Sequence, residues 1–127
     1  MANLNTEEIL ATDFCHGRKH DFQLFKESGC GISVHTKALA DSGYQGLAEI
    51  HPNSQTPAKK TKLHPLSPEQ KATNRALSCE RMLIENIIRK LKIFRILSER
   101  YRNRRKRFGL RFNLIAAIYN MELKVPR

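Results

Sequence analysis

The sequence predicts an α/β fold: short strands first, then a long C-terminal helix with a second helix packed on it. Three observations carry that reading. Two apolar runs of strand length, residues 7–15 and 37–41, flank a short amphipathic segment, and the order strand, helix, strand points to part of an α/β unit with parallel pairing. The tetrapeptide Ser67-Pro68-Glu69-Gln70 contains the residues that open a helix. Beyond it, apolar residues recur at helical spacing almost to the end of the chain.

Taken in order, "EEILATDFC" at 7–15 has the apolar character of a strand, and His16-Gly17-Arg18 punctuates it. "KHDFQLFKES" groups Phe22, Leu24 and Phe25 closely enough for a short helix that Gly29 stops. "GISVHTKALAD" holds the next strand, residues 37–41. Asp41 ends it, and its carboxylate projects into the turn Asp41-Ser42-Gly43 as either a cap or a ligand. The proline-rich, basic stretch "HPNSQTPAKKTKLHPLSPEQ" reads as an irregular surface connection, a loop rather than a domain linker. Ser67 then caps a helix with Pro68 at its first position and Gln70 completing a capping box. Nothing breaks that helix before Asn103, and Ile84, Ile87, Ile88, Leu91 and Phe94 mark its buried side. "YRNRRKRFG" interrupts the apolar period, and Leu110, Leu114, Ile115, Ile118 and Tyr119 resume it in a second helix over about residues 108–123. The chain thus divides into a strand-helix-strand part at 1–50, a basic proline-rich loop at 51–66 and a helical part at 67–127, with no internal repeat.

At 127 residues and 40% hydrophobic content, the chain has the size of one compact domain with a modest core. No apolar run approaches the ~18 residues that span a bilayer, and the N-terminus lacks the order of a signal peptide. A soluble, cytoplasmic protein with no membrane partner is expected. The three cysteines, Cys15, Cys30 and Cys79, are an odd number at unrelated spacings, which suits neither a disulfide framework nor a paired zinc motif. They read as reduced thiols. A mixed site of Cys15, His16, His20, Cys30 and His35 stays open only as a minor alternative, because it lacks a recognised ligand spacing.

Charge is distributed unevenly. Residues 1–55 carry four Lys and Arg against seven Asp and Glu, a net −3, whereas residues 56–127 carry nineteen against five, a net +14. Such asymmetry favours a polyanionic partner for the second part, nucleic acid being the commonest; a solvated basic helix face is the alternative. Within "RMLIENIIRKLK", Arg81 falls about 40° and Lys92 about 20° from Glu85 on a helical projection, so the three share a face. The apolar stripe centres roughly 110° away. Glu85 is therefore expected at the edge of the buried face, where a helix can aim a carboxylate into a cleft. Viewed alone, an Arg and a Glu four apart are ordinary surface decoration, worth about 0.2–0.5 kcal/mol, and a lone Asp41 is often a turn or cap residue.

In combination these segments resemble the C-terminal part of the DDE transposases of bacterial insertion sequences, members of the retroviral-integrase and RNase H-like superfamily. "GRKHDFQLFKESG" is similar to the family's G-x-x-HD-x-x-LF segment, and "ADSGYQG" resembles the D-x-GY-x-G block that holds the second catalytic aspartate. "RMLIENIIRKLKIFRILSERYRNRRKRFGLRFNLIAAIYN" resembles the block of the final glutamate, with R-x3-E-x6-K at Arg81, Glu85 and Lys92. The resemblance implies a partial RNase H-like fold, with Asp41 as the second acid and Glu85 as the third. It implies two divalent cations, normally magnesium with manganese as an alternative, held between three carboxylates; hard cations about 3.5–4 Å apart stabilise the attacking and leaving oxygens of phosphoryl transfer. Arg81 and Lys92 would support the site or contact phosphate. Arg102, Arg104, Arg105, Lys106 and Arg107 would contact DNA. Water attack would nick DNA at a transposon end, and attack by the freed 3′-hydroxyl would join that end to target DNA.

One departure stands out. The first catalytic aspartate belongs on a strand well upstream, and neither that segment nor the N-terminal end-binding domain is in this sequence; Asp13 lies on the wrong strand to replace it. Three readings follow: a catalytically incomplete transposase, truncated or half of a split frame and complemented by an upstream half or another subunit; a basic module that occupies transposon ends or joins intact transposase; and an inert remnant. The first implies a nucleoid-associated protein. Asp41 and Glu85 are expected to approach within metal-bridging reach, and a structure with the two carboxylates on opposite sides of the molecule would overturn their assignment.

Overall fold

The computed structural model describes residues 1–15, 17–102 and 105–126. Its elements run α1 (Asp21–Ser28), β1 (Ala38–Leu39), α2 (Leu47–Ile50), β2 (Ser54–Gln55), α3 (Pro68–Leu91), α4 (Arg95–Ser98), a single 3₁₀ turn (Arg105–Arg107) and α5 (Phe108–Leu123). The chain forms two compact units, one of Cys15–Arg81 and one of Met1–Phe14 with Met82–Arg127. Among the described residues, no helix is long and apolar enough to cross a membrane. Cys15, Cys30 and Cys79 are free thiols, as their spacing predicts.

In the unit Cys15–Arg81, local signals set the helices. The His20 ring nitrogen Nδ1 accepts from the Phe22 N–H at 3.3 Å, and Gly29 ends α1 in the left-handed region at φ 62°, a conformation that glycine adopts without a Cβ penalty. The α3 capping box is formed in full. Ser67 Oγ accepts from the Gln70 N–H at 3.1 Å, and Gln70 Oε1 accepts from the Ser67 N–H at 3.0 Å, pairing donors that a helix start leaves orphaned. Strand β1 is shorter than the predicted 37–41, and its parallel partner is β2, in register Ala38 to Ser54 and Leu39 to Gln55. That partner lies inside the stretch expected to be irregular. The Ala38 and Ala40 N–H groups donate to the carbonyls of Asn53 and Gln55 at 2.9 and 3.1 Å, so the proline-flanked segment satisfies β1 although its sequence reads as loop. Buried His51 closes the crossover through Nε2, 2.7 Å from the Thr36 carbonyl. Asn74 of α3 pins the chain after β2: its amide accepts from the Ala58 N–H at 2.9 Å and donates to the Ala58 carbonyl at 3.0 Å.

The second unit has the main core. Ile87 and Leu91 of α3 and Ile115 and Tyr119 of α5 are buried together, with Ile9, Ile84, Ile96, Leu97 and Phe112 packed around them. The second helix thus packs on the first, and its limits are those the sequence predicts. The long helix, in contrast, stops at Leu91 rather than continuing toward Asn103, which lies outside the described residues. Its last turn tightens as the Phe94 N–H donates to the Leu91 carbonyl at 3.1 Å, and Phe94 is extended at φ −75°, ψ 112°. The break lets α4 pack Ile96 and Leu97 on the core, burial that outweighs unbroken helical propensity.

The predicted strand at 7–15 is also absent; it makes one antiparallel bridge, Ile9 to Ala2. The chain reverses before it, with Glu7 at φ 58°, and its neighbours are its own first residues and a helix. In place of a second strand, the Asn120 amide of α5 accepts from the Ile9 N–H at 2.8 Å and donates to the Ile9 carbonyl at 2.9 Å. Beyond the arm, Phe14 stacks edge-on against Phe108 at 4.9 Å. A Cβ added to Gly109 would lie 2.8 Å from the Phe14 ring. Replacing Asn120 by Ala leaves both polar groups of Ile9 without that partner and should lower unfolding free energy by about 1–3 kcal/mol. A urea unfolding midpoint equal to that of the parent would show that the arm is held by other means.

Candidate functional site

Asp41 sits where the sequence places it, just past the end of β1 in the unit Cys15–Arg81. Its Oδ1 accepts from the Gly43 N–H at 2.7 Å, and its carbonyl accepts from the Tyr44 N–H at 3.1 Å. The carboxylate therefore caps its own turn. A carboxylate offers about four lone-pair positions, so this one bond leaves the group able to meet a further ligand. Gly43 is required by space: a Cβ there would lie 2.9 Å from Asp41 Oδ1 and 3.5 Å from the His20 ring.

The two motif blocks of this unit meet around that turn. Tyr44 packs against Phe22 and Phe25 of α1, with ring centroids 5.7 and 6.3 Å apart. The HD-x-x-LF segment thus supplies a rigid wall for the turn that aims Asp41. Sequence reasoning had no role for His20, Phe22 and Tyr44. Their shared membership of the quoted blocks was the available signal, but only tertiary packing makes it geometric. The next turn ends on Gly46, left-handed at φ 89°, which starts α2 and buries Leu47.

Glu85 lies in the other unit, on the part of α3 that builds the core. The buried stripe is narrower than predicted. Ile87 and Leu91 are buried and Ile84 half-buried, but Ile88, the apolar residue nearest Glu85 on the projection, is 43% exposed and Glu85 itself is exposed. Phe94, also expected on that stripe, is exposed beyond the end of the helix. Arg81 is half-buried and Lys92 exposed. The Lys92 N–H donates to the Ile88 carbonyl at 2.9 Å, so helical geometry persists through it and the shared face of Arg81, Glu85 and Lys92 stands.

Of the basic tract, Arg102 is exposed, Arg105, Lys106 and Arg107 form the exposed 3₁₀ turn before α5, and Arg104 lies outside the described residues. A divalent cation needs several hard oxygen donors at once. Asp41 and Glu85 have suitable chemistry, but among the described residues no group of three or more His, Cys, Asp or Glu side chains is gathered to hold a metal ion. His16, part of the alternative mixed site, lies outside the described residues. The residues present do not make up a complete metal centre.

Comparison with known proteins bears directly on these residues. The family described as DDE superfamily endonuclease matches residues 2–120. A protein described as the probable transposase for insertion sequence element IS702, from Microchaete diplosiphon, is 53% identical over 118 residues. The match covers 93% of this chain and 43% of that protein, so the chain spans less than half the length of its curated relative. No solved structure matches.

The Asp41 turn also generates a pH dependence. Burial, with the negative charges of Asp21 and Asp41, raises Tyr44 above its ordinary value of 10.0. Below pH 10 the hydroxyl is protonated in folded and unfolded chains alike, and its stabilising contribution is intact. As pH rises past 10 the unfolded chain ionises first, so stability falls through that range until the folded form also ionises. Tyr119 is raised by burial in the same sense. Tyr44→Phe should therefore remove part of the alkaline loss, measured as the denaturant midpoint between about pH 9 and pH 11. Parallel profiles for variant and parent would exclude Tyr44 as a source.

Proposed function

The chain belongs to the DDE superfamily of endonucleases, and from that premise we propose that it is the C-terminal part of the catalytic domain of an insertion-sequence transposase. The observation that carries this reading is the family match over residues 2–120, joined to the 53% identity with a probable IS702 transposase. In this reading the chain is a partial RNase H-like fold, a truncated copy or half of a split frame lacking the first catalytic aspartate. It acts in the cytoplasm, associated with the nucleoid.

Asp41 serves as the second acid and Glu85 as the third. DDE superfamily endonucleases depend on divalent metal ions, and magnesium, with manganese as the alternative, is the cation proposed for the complete protein. Only two of the three carboxylates come from this chain. Asp41 is held by the Gly43 N–H and backed by Tyr44 on Phe22 and Phe25, which supports a fixed direction for its carboxylate. Arg81 and Lys92 share the face of Glu85 and are suited to contact a phosphate near it. Arg102, Arg104, Arg105, Lys106 and Arg107 bind the backbone of transposon-end or target DNA by neutralising phosphates.

The partial coverage of the relative and the absence of a gathered metal set among the described residues favour a second reading of this chain on its own. It is then a catalytically inert basic fragment that binds transposon ends or joins intact transposase.

Two measurements separate these outcomes. Neutralising Arg102, Arg104, Arg105 and Lys106 should weaken binding to any duplex and reduce the slope of log affinity against log salt by about 0.9 for each phosphate that the protein no longer neutralises. Equal slopes would assign the tract to a solvated face. The purified chain in magnesium should bind transposon-end DNA weakly and neither cleave nor join it. Addition of an upstream half containing the first aspartate should restore cleavage, and Asp41→Asn or Glu85→Gln should abolish it without loss of DNA binding. Robust cleavage by this chain alone, lost in Glu85→Ala, would refute incompleteness and make Asp13 the next residue to test.

A further inference from the structure

We propose that the outer face of α5 is a docking surface for the remainder of a transposase of this family, through an apolar ridge edged by acidic side chains. The inference rests on the transposase reading above. α5 is apolar on two sides. Ile115, Ala116 and Tyr119 are buried, and Phe112 and Leu123 pack on the same core. On the opposite side Leu110, Leu114, Ile118 and Met121 fall within about 40° of Leu114 on a helical projection, and they are 73%, 60%, 37% and 68% exposed. A helix that is apolar all round is characteristic of a protein interior, and contiguous exposed apolar surface marks a site of association. Next to this stripe, Leu10, Thr12, Asn113 and Ala117 line part of an open groove of about 190 Å³. It has room for an apolar side chain from the partner.

Two observations choose the occupant. The IS702 relative is covered over only 43% of its length, so more than half of such a protein is available to lie against this face. A second copy is disfavoured by charge. Each copy has a net charge of +11, and residues 56–127, which include α5, carry +14. Self-pairing would bring two strongly cationic segments together, whereas a partner with acidic residues around its apolar ridge would relieve that charge.

The test compares this chain alone with a chimaera in which it replaces the matching 118 residues of the IS702 transposase. Each is made with and without the paired substitutions Leu114→Lys and Ile118→Lys. In the chain alone both side chains face water, and the melting midpoint should move by less than about 2 °C. In the chimaera the same lysines meet an apolar partner, and the midpoint should fall by about 5 °C or more. Leu110→Lys, at the most exposed position of the stripe, should reproduce the contrast. Equal shifts in the two proteins would overturn the proposal. So would a dimer of the chain alone on light scattering that the paired substitutions split, because the occupant would then be a second copy. DNA binding by the unsubstituted chimaera is read in parallel: its absence sinks the transposase reading, and equal melting shifts sink only the docking face.

Discussion

An extended backbone that leaves water must find partners for its N–H and C=O groups, and here asparagine amides supply much of what a larger sheet would. Asn120 presents its donor and acceptor to Ile9, and Asn74 does the same for Ala58. A carboxamide carries both functions on one planar group, so it can reproduce one rung of a strand ladder. The consequence is structural economy. Two strands of two residues each are the only named strands among the described residues, yet extended segments in both units are fixed at defined places against helices. The arm that Asn120 holds brings Ala2 and Ile9 to the core of α3 and α5. Without that pairing the helices would have no cover from the first residues of the chain.

The helices were legible because their signals are local. The capping box at Ser67 and Gln70, the stop at Gly29 and the limits of α5 all depend on residues within one or two turns. Strands depend on a partner elsewhere. The apolar run at 7–15 has the composition of a strand but lies beside a helix, and the Ser54-Gln55 segment is a strand without the composition of one, because β1 requires a neighbour. In α5 the extent could be read but the orientation could not. Leu110, Leu114 and Ile118 are as apolar as Ile115 and Tyr119, so periodicity gives two candidate faces and only packing chooses between them.

At the candidate site, the turn at Asp41 was visible in Asp-Ser-Gly, and the shared face of Arg81, Glu85 and Lys92 was visible in their spacing. The support behind the turn was not. Tyr44, Phe22 and Phe25 converge through a helix and a strand end, and no local rule joins them. The exposed position of Glu85 was also missed, because Ile88 reads as core by residue type but remains substantially in solvent. The acid pair therefore consists of one carboxylate held within a built turn and one displayed on an open helix face. The first has its direction set by its own unit. The second acquires surroundings from whatever meets that face.

The separation of 111 residues between Ile9 and Asn120 also sets an order of events during synthesis. At roughly 5–20 residues per second, the ribosome takes on the order of 6–22 s to travel from one to the other. The unit Cys15–Arg81 is contiguous, and all of its residues have been made well before Asn120 exists. The N-terminal arm must wait through that interval with Ile9 unclamped and its apolar side chains uncovered, while the neighbouring unit already has everything it needs to fold. Nascent chains arrested before Asn120 should accordingly expose the arm to chaperones, making the last helix the step that releases it.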